Sequence, residues 1–194
     1  MTRSTTPFWL DPKLWAISVA ETLAWAGLFY MFPALLLRWN HHFGWSISEL
    51  SFGLMLALVI SAVVGILSGK LIDKGLGRPL VALSVVAGGL LLLFLIVVQE
   101  LWQFYLVWGS VGVFMGGCFY DPCFALLTRK YGKNAKGPIV MVTFFAGLAI
   151  TVGFPISSIV ANTLGWKASV FTFSSFLMFI SGPLFWYGYS DEIY

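Results

Sequence analysis

Six apolar runs, each about 19 to 27 residues long and joined by short polar segments, dominate this sequence, and each is long enough to cross a bilayer core as a helix. They run from about Leu14 to Leu37, Leu50 to Gly69, Leu80 to Val98, Trp102 to Leu127, Pro138 to Leu164 and Ala168 to Tyr189. Barrel strands would be about half that length and would alternate in polarity, which none of the runs does. The expected fold is therefore an all-α membrane protein, a bundle of six transmembrane helices. A soluble chain is roughly 25% charged; this one is 10% charged and 59% hydrophobic, so the lipid bilayer is its first partner. A net charge of +3 spread over short loops does not describe a nucleic-acid surface.

The segment Gly69 to Arg78, Gly-Lys-Leu-Ile-Asp-Lys-Gly-Leu-Gly-Arg, orients the rest. It is a tight turn between the second and third runs, and its Lys70, Lys74 and Arg78 mark a cytoplasmic loop. On that layout Arg3, Lys13, Lys70, Lys74, Arg78, Arg129, Lys130, Lys133 and Lys136 lie inside, and Arg38 and Lys167 outside. Both termini are then cytoplasmic. Trp9, Trp15, Trp39, Trp45, Trp102, Trp166 and Trp186 fall near span ends, as interfacial rings prefer. Residues 1–13 read as an N-terminal segment, 14–189 as the bundle and 190–194 as a tail or the start of a further half. The first run is too long for a signal-peptide core and reads as a retained span.

Small residues recur every fourth position: Ser61, Gly65 and Gly69, then Gly112 and Gly116, then Ala149, Gly153, Ser157 and Ala161. In lipid such stripes bring helix backbones together, and we read them as helix contacts. Pro33 and Pro155 are expected to bend their helices, with Gly153-Phe154-Pro155 the place for a mobile kink. Cys118 and Cys123, about 140° apart on one helix, are read as packing residues.

Glu21 and Asp121 are the acidic residues inside spans, and an ionisable group at that depth normally faces a cavity or a partner. Both lie roughly 10 Å from the cytoplasmic edge, and two carboxyls at one depth facing one space would exchange protons. For Glu21 we favour proton or substrate coupling. For Asp121 we favour a structural pair with Lys74, Arg78 or Arg129. Trp25 and Phe32 follow Glu21 at spacings of four and eleven, on roughly one helix face. These rings and Trp108 suit a substrate site and ordinary packing equally. His41 and His42 sit in the outer loop with no third ligand nearby. No nucleophile motif, phosphate loop, metal motif or cofactor motif is recognised, which argues against an enzyme.

The turn at Gly69–Arg78 resembles the signature loop of the major facilitator superfamily, G-x-L-x-D-R-x-G-R, in Gly69, Asp73, Lys74, Gly77 and Arg78. Trp25-Ala26-Gly27-Leu28-Phe29-Tyr30 resembles that family's first helix. Tyr120-Asp121-Pro122-Cys123-Phe124-Ala125 resembles the end of its fourth helix in one bacterial branch, and Gly165-Trp166-Lys167 the start of its sixth. The chain departs from the pattern by one extra residue between Asp73 and Gly77 and by lysine at position 74. Trp108 stands where many proton-coupled members carry an arginine, and the fifth run lacks the Gly-Pro-x-x-Gly-Gly ending of drug–proton antiporters.

The resemblance implies two inverted three-helix repeats, 14–98 and 102–189, forming one half of a secondary transporter. A C-terminal six-helix half or a second copy would complete the cavity between halves. It further implies alternating access, a small-molecule substrate such as an organic acid or other hydrophilic metabolite, proton coupling as symport with antiport and uniport as alternatives, and a bacterial inner membrane location. Glu21, Trp25, Phe32, Trp108 and Tyr120 would then serve substrate or proton coupling, and the signature loop with Asp121 would form a cytoplasmic gate. The alternative is a six-helix membrane subunit or scaffold without transport, in which both acids are closed off from water.

Overall fold

The computed structural model describes residues 7–190; Arg3 and the tail from residue 191 onward lie outside it. It contains six long helices: α1 (Pro12–Phe43), α2 (Ile47–Asp73), α3 (Gly77–Val97), α4 (Leu101–Asn134), α5 (Lys136–Leu164) and α6 (Trp166–Gly188). Among the described residues there is no strand. This is an all-α bundle of six membrane-length helices, and the protein is an integral membrane protein.

Local chemistry sets the helix ends. Asp11 caps α1 by accepting the Lys13 N–H at 2.9 Å, with Pro12 in the first turn, where a missing N–H costs nothing. Ser46 and Glu49 form a reciprocal capping box at the start of α2. The turn after α2 is tighter than the decapeptide suggested: only residues 74–76 leave helical geometry, and Gly77 and Arg78 already belong to α3. Gly75, at φ 79°, donates to the Ile72 carbonyl while the Leu76 N–H reaches the Leu71 carbonyl. That is a Schellman cap, whose left-handed position favours glycine, and Gly75 falls within the stretch lengthened relative to the family pattern.

The bundle is held by backbone proximity. α4 packs against α2 and α3; α6 packs against α1, α3 and α5; α1 also lies along α5. A Cβ built on Gly112 would strike the backbone of Ala57, and one on Gly116 would lie 2.6 Å from the Ser61 carbonyl oxygen. The α5 stripe is likewise a contact face, since Ala149, Gly153, Ser157 and Ala161 are the buried residues of its second stretch, Ala149–Leu164. Gly69 differs: among the described residues nothing lies within 4 Å of the Cβ position there. Hydrogen bonds between helices add to this glue, from Ser68 to the Gly116 carbonyl, from Ser181 to the Ala20 carbonyl, and between Ser157 and Ser169 at 2.8 Å.

Four of the helices are irregular within their length where the sequence reading has them continuous, and α6 is one of them, with a π-turn at Leu177–Ser181. α1 runs six residues beyond the expected Leu37, carrying His41 and His42 on its last turn and Trp39 into the core rather than to the interface. Within it, Ala26–Tyr30 forms a π-turn just before Pro33, whose missing N–H would leave the preceding turn unsatisfied. α4 breaks at Phe119, whose ψ of −164° is extended. Pro122 cannot donate to the Cys118 carbonyl, and Gly116 and Gly117 weaken the helix ahead of it. In α5 the interruption lies at Leu148, after Gly147, and not at Gly153-Phe154-Pro155; Pro155 sits inside the following helix.

At the end of the bundle that carries the 74–76 turn, called here the basic end, cationic side chains close helix C-termini. Arg129 donates to the Ile72 carbonyl at 2.6 Å, Arg78 to that of Trp186 at 2.8 Å, and Lys130 to that of Gly188 at 3.3 Å. Lys130 also lies 3.7 Å from Asp11, which accepts the Tyr131 hydroxyl at 2.6 Å. Partial burial pushes the Asp11 carboxyl up, but the bonds from Tyr131 and Lys13 and the Lys130 charge outweigh it and hold the group below its ordinary range. The stabilisation from Asp11 is thus complete above the usual carboxylate range and is lost as pH falls through the lowered value. Asp11→Ala should reduce stability by about 0.5–2 kcal/mol near neutral pH. Thermal melts of both proteins across a pH series should show that gap closing in acid.

Candidate functional site

Glu21, in the middle of the first stretch of α1, is completely buried. Its Oε1 accepts the Trp25 indole N–H at 3.1 Å, one helical turn on, and among the described residues Oε2 has no hydrogen-bond partner. The Cys123 thiol lies beside the carboxyl and also receives the Tyr189 hydroxyl at 3.2 Å. Both cysteines are free and buried, in line with their reading as packing residues.

The Trp25 ring covers Glu21 and belongs to an aromatic cluster assembled by the two helix irregularities. Phe119, at the α4 break, stacks on Trp25 with centroids 4.2 Å apart and planes at 13°. Tyr120 lies 4.8 Å from Trp25 and stacks in turn on Phe124 at 5.0 Å. Phe29 and Tyr30, from the π-turn, stand 5.5 Å and 6.3 Å from Trp25. Trp25, Phe29, Tyr30, Tyr120 and Phe124 are only partly buried, so the cluster shows an open aromatic face on α1 and α4. Behind it sits one carboxyl oxygen with no hydrogen-bond partner among the described residues.

Of the residues singled out from sequence, Glu21, Trp25 and Tyr120 come together here. Phe32 and Trp108 do not. They form a second, closed aromatic box with Trp39 and Phe104, Phe32 lying 4.8 Å edge-on to Trp108. The π-turn inserts a residue between Trp25 and Phe32, which rotates later side chains by about 100° and defeats the spacing argument. Phe119, Phe124, Phe29, Tyr30 and Cys123 were missed as members of the cluster. The four-residue spacing of Tyr120 and Phe124 was a signal for one of these contacts; the break that delivers Phe119 was signalled only by Pro122.

Asp121 does not share the space of Glu21. It is exposed, and its Oδ2 would lie 3.3 Å from a Cβ on Gly65 of α2. Among the described residues it forms no ion pair with Lys74, Arg78 or Arg129, because Arg78 and Arg129 are committed to helix carbonyls. Arg78 also lies over the Trp186 ring at 4.1 Å. Asp73 and Lys74 are exposed, and Gly69 and Asp73 line a hollow of about 450 Å³ with Thr128 and Arg129. Gly77 is buried at the start of α3.

Comparison with known proteins agrees with this architecture. The chain is 30% identical over 122 residues to the multidrug resistance protein MdtH of Aeromonas hydrophila subsp. hydrophila, an alignment covering 61% of this chain and 30% of that protein. The matched stretch thus spans less than a third of that relative's length. The sequence pattern of the Major Facilitator Superfamily matches residues 14–192, all six helices included. With six membrane-length helices, the signature turn between α2 and α3 and that match, the chain belongs to the major facilitator superfamily of membrane transporters.

Proposed function

We propose that this chain is the N-terminal half of a secondary transporter that carries a small solute through a bacterial inner membrane by alternating access. The basic end faces the cytoplasm and both termini lie there. A C-terminal six-helix half, or a second copy, covers the aromatic face and completes the cavity. Two inverted repeats, 14–98 and 102–189, relate α1 to α4, and the irregular turns at Ala26–Tyr30 and Phe119 fall in these corresponding helices. The observation that carries the reading is the half-open cluster of Trp25, Tyr120 and Phe124 over the buried Glu21, which has the form of one wall of a site. The signature loop, with Asp73, Lys74 and Arg78, acts as a gate against the opposite half; Asp121 contributes from the exposed edge beside α2.

In this reading Glu21 takes up and releases the coupling proton, and Trp25 controls its access to the cavity. Stacked rings without a neighbouring Lys or Arg favour a solute with a flat apolar part over an organic anion. The Aeromonas relative is named for multidrug resistance, whereas the sequence inclines toward small organic acids or other hydrophilic metabolites. One observation favours the scaffold alternative: Glu21 is sealed within this half.

The test is uptake into vesicles containing the full-length protein. Trp25→Phe keeps the ring and removes the N–H donated to Glu21, and should reduce uptake several-fold. Trp25→Ala, which also opens the face, should reduce it by about tenfold to a hundredfold, stacking and orientation being lost together. Uptake unchanged in Trp25→Ala would remove the cluster from the transport path.

A further inference from the structure

Two neighbouring hollows at the basic end play no part in the transport reading. The short helical turn Phe8–Leu10 lies against the start of α5, with the Phe8 ring so close to Gly137 that a Cβ there would stand 2.7 Å from the ring edge. On one side of this contact is a chamber of about 850 Å³ with a mixed polar and apolar lining, to which Lys133, Asn134 and Lys136 contribute. On the other is a groove of about 550 Å³, almost wholly apolar, that follows α5 past Val140, Met141 and Phe144. These three stand three, four and seven residues beyond Gly137, on one helix face. Phe8, Lys136 and Gly137 border both hollows, so the chamber and the groove adjoin across the Phe8–Gly137 contact.

The chamber is positive. Asp11 also lines it, but that carboxylate is answered within the protein by the Tyr131 hydroxyl, Lys130 and the Lys13 N–H. Lys133 and Lys136 are exposed and form no ion pair among the described residues, and Lys136 opens α5, where the helix dipole adds positive potential. Exposed Trp9, which borders the groove, suits the boundary between lipid and water.

We propose that this seat holds an anionic glycerophospholipid, its phosphate in the chamber near Lys133 and Lys136 and one acyl chain along Val140, Met141 and Phe144. A free phosphate would leave the groove uncovered. A zwitterionic lipid would bring its own ammonium toward the lysines. The proposal rests on the membrane placement of the chain and stands whether or not the transport reading does.

Native mass spectrometry of the full-length protein in mild detergent, titrated with phosphatidylglycerol, chain-matched phosphatidylcholine or inorganic phosphate, tests it. Phosphatidylglycerol should be retained preferentially, and Lys133→Gln with Lys136→Gln should weaken it about thirtyfold, whereas Lys70→Gln with Lys74→Gln should change it by less than about twofold. The second pair removes the same charge from the same end without touching the seat. Shortening the acyl chains should weaken binding further. Equal retention of phosphatidylcholine, equal weakening by the two double variants, or indifference to chain length would overturn the proposal. Displacement of the lipid by inorganic phosphate alone would assign the chamber to a soluble anion and overturn it as well.

Discussion

Glu21→Gln is expected to reduce proton-coupled uptake by the full-length protein to the level of empty vesicles while leaving the bundle at least as stable as the wild type. Glutamine has nearly the volume of glutamate, and its carbonyl oxygen can keep the bond that Glu21 accepts from Trp25 at 3.1 Å. It cannot carry a proton on and off. The other oxygen, Oε2, has no hydrogen-bond partner among the described residues, so the amide disrupts none of their hydrogen bonds there. An ionisable group at this depth costs at least about 2.5–3.5 kcal/mol by insertion scales, a cost the amide lowers. Uptake driven by an imposed pH gradient, read beside a thermal melt in detergent, separates the alternatives. A carrier loses coupling and keeps its melting temperature; a structural carboxylate loses stability instead. Coupled uptake that survives in Glu21→Gln would retire the proton role.

Gly112→Leu is expected to prevent the bundle from assembling. A Cβ at Gly112 meets the Ala57 carbonyl oxygen, and meets its Cα at 2.7 Å and carbonyl carbon at 2.9 Å, all backbone atoms of α2 that cannot swing aside. α2 and α4 would have to separate along a face that also carries Gly116 against Ser61. Overpacking against side chains costs about 1–3 kcal/mol, and contact with rigid backbone exceeds the upper part of that range. Size-exclusion profiles after detergent extraction should show aggregated or degraded protein. Gly69→Leu is the matched control, because the Cβ position there is open and its profile should match the wild type. A normal, monodisperse Gly112→Leu would contradict the helix contact described above.

Gly69 and Gly112 illustrate how differently a sequence pattern can turn out. Both belong to four-residue stripes, yet only Gly112 meets a neighbouring backbone, because a stripe specifies a face and not what stands opposite it. Phe32 makes the same point for aromatic spacing. Its distance of eleven from Glu21 predicts one face in a regular helix, and the π-turn at Ala26–Tyr30 turns it instead toward Trp39, Phe104 and Trp108. Asp121 was matched with Glu21 by depth alone. Depth follows from the 1.5 Å rise per residue, but direction depends on the break at Phe119, and the two carboxyls ended in different surroundings.

The sequence by itself determined the six spans, the gathering of cationic residues at one end, the signature turn and the presence of Glu21 in an apolar helix. Lipid enforces these directly, since it demands internally bonded backbone over a set length and penalises charge wherever it falls. Only the tertiary structure decided which rings surround Glu21, which carbonyls Arg78, Arg129 and Lys130 close, and where α1 and α4 depart from regular geometry. Those outcomes depend on helix rotation, and a single inserted or unpaired residue turns everything beyond it by about 100° without altering the hydropathy by which the spans are recognised.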